Sequence, residues 1–264
     1  MGFRPQVHGG SGVVGATSIK AIDGAALAAK ERMIVVTVQY RLGALGLLKV
    51  DSSGIAGNYA LKDLILALRQ FSSLAPFVPQ PDPMILRPEF VQEEINFFGG
   101  DATRVTLAGQ SSGAEMIKSL LVVPSAAPYF ARAILHSAPL TFGDLSSSTA
   151  NGVGALVAKS LGCTDIACFR SASVASILTA QDALYNTTSP SYAAANVAGL
   201  STMAVPLHVV VDGTLVAKDF ATTVLRGEGL ASAGKAIIFT TTKDEGCPTV
   251  AGLCVVSARS VEPR

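Results

Sequence analysis

Charge is scarce in this sequence and almost balanced: Asp, Glu, Lys and Arg make up 15% of 264 residues, and the formal net charge is +1. Nucleic acid and anionic membrane surfaces attract concentrated basic fields, so the charge argues for neither partner. No apolar run reaches the roughly 18 residues expected of a membrane-spanning helix. The opening residues, MGFRPQVHGG, carry neither a signal-peptide core nor a transit-peptide pattern. Cysteine is sparse too. Its four copies form two close pairs, Cys163/Cys168 and Cys247/Cys254, with no C-x-x-C and no companion ligands at metal-binding spacing. No metal and no cofactor is therefore expected. The pairs read either as two local disulfides of a secreted protein or as four buried thiols. The sequon Asn186-Thr187-Thr188 agrees with secretion. Histidine is the scarcest useful residue, at three copies: His8, His136 and His208.

What the chain does have is apolar material. Hydrophobic residues make up 49% of it, enough for a large core, and its length suits one big domain or two small ones. The β-branched run Met33 to Tyr40 predicts a buried parallel strand, and Arg41 to Leu48 a glycine-punctuated loop. Asp23 is the expected N-cap of a helix running to Lys30, and Gly57-Asn58-Tyr59 opens another over Ala60 to Arg69. Val91 to Phe97 reads as helix, Ala131 to His136 and Ala236 to Thr242 as strands, and the region after Ser146 as mostly helical. Strands alternating with helices point to an α/β fold, a mostly parallel doubly wound sheet with helices on both faces. The segment Gln70 to Phe90 interrupts this order. It holds five of the thirteen prolines and cannot lie inside a helix. It reads as a poorly ordered excursion, either a natural loop or an intervening sequence foreign to the domain.

The chain is organised around Arg104 to Leu121. The apolar run Val105 to Ala108 turns sharply at Gly109-Gln110-Ser111-Ser112-Gly113 and continues as a helix from Ala114. A strand, a G-x-S-x-G turn and a helix make a nucleophile elbow. Such a turn strains Ser111 and lifts its hydroxyl above the sheet, and the helix behind it aims its first N–H groups at developing negative charge. Upstream, Val7-His8-Gly9-Gly10-Ser11-Gly12 places an HGG-type loop after a strand, where an oxyanion hole belongs. The amides of Gly10, Ser11 and Ser112 are the candidate donors. Gly10-x-Gly12-x-x-Gly15 also spells a dinucleotide fingerprint, but the helix begins late and Asp23 is too near to be its acidic partner. Past the strand AIIFTTT, Glu245 stands where a carboxylate would orient a catalytic histidine.

The segments VHGGSG, DGAALAAKERMIVVTVQYRLGALGLL, GNYALKDLILALR, VQEEINFFGGDATRVTLAGQSSGAEM and VVDGTLV…TTKDEG together resemble the type-B carboxylesterase (cholinesterase-like) family. The resemblance is collinear, fails at Gln70–Phe90 and is faint from about Ser146 to Thr202. It implies a partial α/β-hydrolase fold over residues 1–264 and hydrolysis of a small carboxylic ester through an acyl-enzyme. Ser111 would be the nucleophile, Glu245 the triad acid, and Gly10, Ser11 and Ser112 the oxyanion donors. It further implies a Cys163–Cys168 disulfide and secretion. The family's catalytic histidine lies well downstream of the acid, and no histidine follows Glu245 here. The chain as written is thus expected to be nearly inactive. Ser11 replaces a usual glycine, and Gln110 a common glutamate, which disfavours a cationic substrate. The alternative the resemblance allows is a non-catalytic binding or adhesion relative on the same fold.

Overall fold

Among the described residues, the extended, β-branched and small-residue stretches form nine strands in chain order: β1 (Phe3–Val7), β2 (Ile34–Val38), β3 (Lys49–Val50), β4 (Ile55–Ala56), β5 (Thr106–Gln110), β6 (Arg132–His136), β7 (Leu145–Ser146), β8 (Val210–Val211) and β9 (Ala236–Thr240). The helices are α1 (Ala25–Glu31), α2 (Gly43–Leu47), α3 (Tyr59–Phe71), α4 (Ser112–Leu120), α5 (Ser147–Leu161), α6 (Ile166–Ser171), α7 (Val174–Tyr185) and α8 (Phe220–Leu225). These elements come from a computed structural model that describes residues 1–71, 98–138, 140, 143–185 and 205–243.

Five strands make one parallel sheet in the order β2-β1-β5-β6-β9. The chain leaves β1 in one direction to reach β2, then returns past β1 and moves the other way through β5, β6 and β9. Right-handed crossovers in opposite directions place their helices on opposite faces of the sheet. The order therefore reverses between β1 and β5. In open α/β sheets the crevice at the strand ends beside such a reversal is where ligands bind. The register makes that rim level: Val7 pairs with Val38 and Gly109, Gln110 with His136, and His136 with Thr240.

The core lies at the sheet centre. Phe3, Leu61, Leu64, Leu107, Ile117, Leu120, Leu121 and Leu135 are fully buried, each apolar side chain contributing about 1.5–3 kcal/mol. Leu61, Leu64 and Leu68 share the buried face of α3, as the helical spacing predicts. Asn58, just before α3, pairs with both backbone groups of Val210, at 2.8 Å in each direction, and so straps this helix to β8.

Four local expectations are corrected. The strand expected over Met33 to Tyr40 is parallel but lies at the sheet edge, so only Val38 of β2 is buried. Arg41 to Leu48 is not a loop: it contains α2, whose Ala44 amide donates to Gln181 at 2.8 Å. Gly24, not Asp23, caps α1, although the Asp23 carboxylate accepts from the Ala25 amide at 2.9 Å. The helix after the elbow begins at Ser112 rather than Ala114. Between Ser147 and Tyr185 the chain forms α5, α6 and α7, and the rest of the region expected to be helical, 186–202, lies outside the described residues. Cys163 and Cys168 form a disulfide joining the end of α5 to α6. The expected helix Val91 to Phe97, most of the Pro-rich segment, Asn186, Cys247 and Cys254 lie outside the described residues.

Candidate active site

Strand β5 delivers Ser111 to the rim with φ 54° and ψ −127°. A residue with a side chain held in so sparsely populated a conformation costs about 1–3 kcal/mol, and it persists only where its surroundings fix it. Here both of its backbone groups are engaged: the Ser111 amide donates to the His136 carbonyl and its carbonyl accepts from Glu115, each at 3.0 Å. The flanking glycines are required by close main-chain contact. A Cβ on Gly109 would stand 2.7 Å from the Gly113 carbonyl, and one on Gly113 would stand 2.3 Å from the Val7 oxygen and 2.5 Å from that of His8. The start of α4 is thus seated directly on the end of β1, and its N-terminus faces the crevice.

The same closeness governs the glycine-rich loop. A Cβ on Gly9 would lie 2.7 Å from the Gln110 carbonyl and 3.1 Å from the Cβ of Ser111. The loop and the elbow are in contact. His8 anchors the loop from below, fully buried, with its Nδ1 2.9 Å from the Gly9 carbonyl. A carbonyl only accepts, so Nδ1 carries the proton. Tyr40 stacks on the His8 ring at 4.7 Å and donates its hydroxyl to the His8 carbonyl at 2.7 Å. Burial pushes the Tyr40 phenol well above its ordinary range, so it remains a donor. The Gly10 carbonyl accepts from Val13 and Val14, which curls the loop back on itself. Among the described residues, the amides of Gly10, Ser11 and Ser112 find no acceptor. The Ser111 amide, by contrast, is engaged by the His136 carbonyl.

The sequence-predicted residues therefore separate into two groups. Ser111, Ser112 and the loop of Gly10 and Ser11 come together at the sheet reversal. Glu245 lies outside the described residues, a few positions beyond Thr240, which ends β9 on the same rim. Among the described residues, no histidine ring is hydrogen-bonded to the Ser111 side chain. His136 Nδ1 lies 2.8 Å from the Thr240 hydroxyl, and burial together with the Arg4 charge lowers its pKa. His208 is buried beneath α4, with Nε2 3.0 Å from Glu115 and Nδ1 3.7 Å from Asp144. Tyr40, Glu115, Asp144 and His208 carry geometry the sequence reading did not assign. For Tyr40 the available signal was its place at the end of the strand beside the HGG loop. Among the described residues no group of three or more His, Cys, Asp or Glu is arranged to hold a metal ion, and no helix is long and apolar enough to cross a membrane.

The chain is similar to known proteins in both sequence and fold. An acylcarnitine hydrolase of Rattus norvegicus is 34% identical over 178 residues, 65% of this chain and 28% of the relative. Carboxylesterase 4A of Bos taurus is 38% identical over 155 residues, 59% of this chain and 24% of the relative. Among solved structures, a carboxylesterase of Geobacillus stearothermophilus superposes with a TM-score of 0.73 at 27% identity, covering 95% of this chain and 47% of that one. A PNB esterase superposes at 0.74 with 25% identity, covering 99% and 47%. The chain thus spans less than a third of these curated relatives and under half of the solved structures. The model of the carboxylesterase family matches residues 6–72 and 84–258, leaving out a stretch inside the Pro-rich segment. With nearly its whole length matched, the chain belongs to the carboxylesterase family.

Proposed function

We propose that this chain carries the nucleophile and oxyanion hole of a carboxylic-ester hydrolase. The observation that supports this is the contact between the strained Ser111 turn and the HGG loop, with three amides left free beside it. An ester carbonyl seated in the crevice would be attacked by the Ser111 oxygen. Its own oxygen would then take negative charge within reach of the amides of Gly10, Ser11 and Ser112. Each such donor contributes about 3 kcal/mol to the transition state. Collapse of the tetrahedral species would expel the alcohol and leave an acyl-serine, which water then hydrolyses. Glu245 is assigned as the acid of the triad, the role being to hold a histidine in one tautomer.

His8, His136 and His208 are each committed to another contact. Ser111 therefore lacks a base among them, and acylation by this chain is slow. Serine hydrolases that lose a triad member drop by orders of magnitude in rate while keeping what binding and the oxyanion hole supply. The Cys163–Cys168 bridge supports a secreted or lumenal location, because such bridges persist in oxidising compartments.

Incubation of the full chain with a fluorophosphonate probe, followed by mass spectrometry, tests the assignment. Slow covalent labelling confined to Ser111 and abolished in Ser111→Ala is expected, with weak turnover of p-nitrophenyl butyrate. A folded chain that carries no label at Ser111 after prolonged exposure overturns the reading.

A further inference from the structure

Beneath the elbow lies a group of charged side chains that ester cleavage does not use. Glu115 and Lys118 project from α4 into the interior, 3.8 Å apart, and both are almost completely buried. Asp144, from the segment before β7, has its side chain wholly enclosed and accepts from Ser119 of α4 at 3.0 Å. His208, from the segment before β8, sits between the two carboxylates, 3.0 Å from Glu115 and 3.7 Å from Asp144. The segments that carry Asp144 and His208 are joined to each other, Leu145 donating to Val209 at 2.7 Å. The Glu115 amide is the one that holds the Ser111 carbonyl. Glu115 thus has its backbone on the nucleophile turn and its carboxylate on His208.

We propose that His208 is a positioning residue for Ser111: by bridging Glu115 and Asp144 it ties the first turn of α4 to the two segments beneath it and so holds the strained elbow in place. The proposal rests on Ser111 being the nucleophile. Its physical basis is that a buried carboxylate without a cation is expensive, so separating α4 from His208 is resisted strongly. The contact is Coulombic rather than an aligned hydrogen bond, since neither ring nitrogen reaches a partner in hydrogen-bonding geometry. Its strength therefore depends on the imidazolium charge. Desolvation and the nearby Lys118 oppose that charge, while Glu115 and Asp144 favour it and prevail, so the His208 pKa is raised. Asp144 is raised by its burial, with Asp219 at the start of α8 acting in the same direction, against the opposing pull of His208, Lys118 and Ser119.

The sign follows. A histidine whose folded-state pKa is raised gives stability that is fully present below about pH 6.5 and is lost as pH climbs through the folded value. Amide hydrogen exchange over residues 107–120 of the full chain, corrected for intrinsic rates, reads this directly. In wild type, protection of the turn at 111–116 should fall on the order of tenfold or more across that alkaline step, the scale expected when a buried charge loses its partner. The step should vanish in His208→Gln and in the near-isosteric Glu115→Gln. Leu184→Ala, a buried change in α7, lowers overall stability without removing the step. Fluorophosphonate labelling of the same samples should slow across the same pH range in wild type and Leu184→Ala, and not in His208→Gln or Glu115→Gln. Wild-type protection that stays level across this range overturns the proposal, as does a step that survives in Glu115→Gln. Labelling at Ser111 with no step removes the tether and keeps the esterase reading. A step without labelling keeps the tether and removes the esterase reading.

Discussion

Two helices of this sheet are built from similar small residues and meet opposite fates. In α4, all nine residues from Ser112 to Leu120 are buried, Glu115 and Lys118 included. In α1, AALAAKE, none of the seven is. Their intrinsic helix propensities do not explain this, since alanine-rich α1 has the better sequence. Position does. The elbow helix packs against β1, β5 and β6 at the sheet centre, whereas α1 packs against β2 at the edge. The opposite edge repeats the lesson: β9 is mostly exposed, with Ile238 and Phe239 open to solvent. Tertiary location, not local composition, decides where a change will be felt.

The largest loss is expected at Gly113. Valine there drives a branched side chain into the main chain of Val7 and His8, whose oxygens lie 2.3 and 2.5 Å from the Cβ position. A loss of about 4 kcal/mol or more is expected, beyond ordinary overpacking because the obstacle is backbone. The same change at Gly229, where nothing lies within 4 Å, should stay within about 0.5 kcal/mol. Thermal melts of the two variants decide this. Equal losses would show that the elbow has no special tightness.

A smaller contrast separates Leu120 from Leu225. The first is fully buried in α4 and the second is 87% exposed in α8. Leu120→Ala should cost about 2–5 kcal/mol through lost transfer energy and a cavity. Leu225→Ala should be nearly silent, as measured by urea denaturation midpoints at constant slope. A comparable cost at both positions would contradict the centre-to-edge gradient.

The smallest effect sharpens the contrast within the site itself. Tyr40→Phe keeps the stacked ring but removes the donor that holds the His8 carbonyl. Stability should fall by about 1 kcal/mol. The fluorophosphonate rate should fall by about fivefold if the glycine-rich loop loosens to the same extent. Full stability with a reduced labelling rate would place the effect in the loop. An unchanged rate would show that the Gly9 contacts with Gln110 and Ser111 hold the loop without this bond.

Much of the centre was legible in the sequence because its demands are local. A strand that must turn into a helix with main chains in contact needs glycine at 109 and 113, and no other residue substitutes. The HGG loop and the parallel alternation of elements were readable for the same reason. The edges were not. A β-branched run such as Ile34 to Val38 says strand but carries no mark of whether a neighbour covers its far side. Helix α2 was hidden by Gly43 and Gly46, which read as loop residues. They are there because a Cβ would meet Gln181 at 1.9 Å and the Arg41 carbonyl at 2.2 Å, contacts that exist only after folding. The partnership of His208 with Glu115 and Asp144 was invisible for want of proximity along the chain. The role of Glu245 remains the sequence's own, outside the described residues.

The interlock of Gly9 and Gly113 with their neighbours has one more consequence. A surface formed by two main chains offers nothing to trim, enlarge or recharge by single substitutions, so the floor on which acyl transfer would occur is closed to gradual variation.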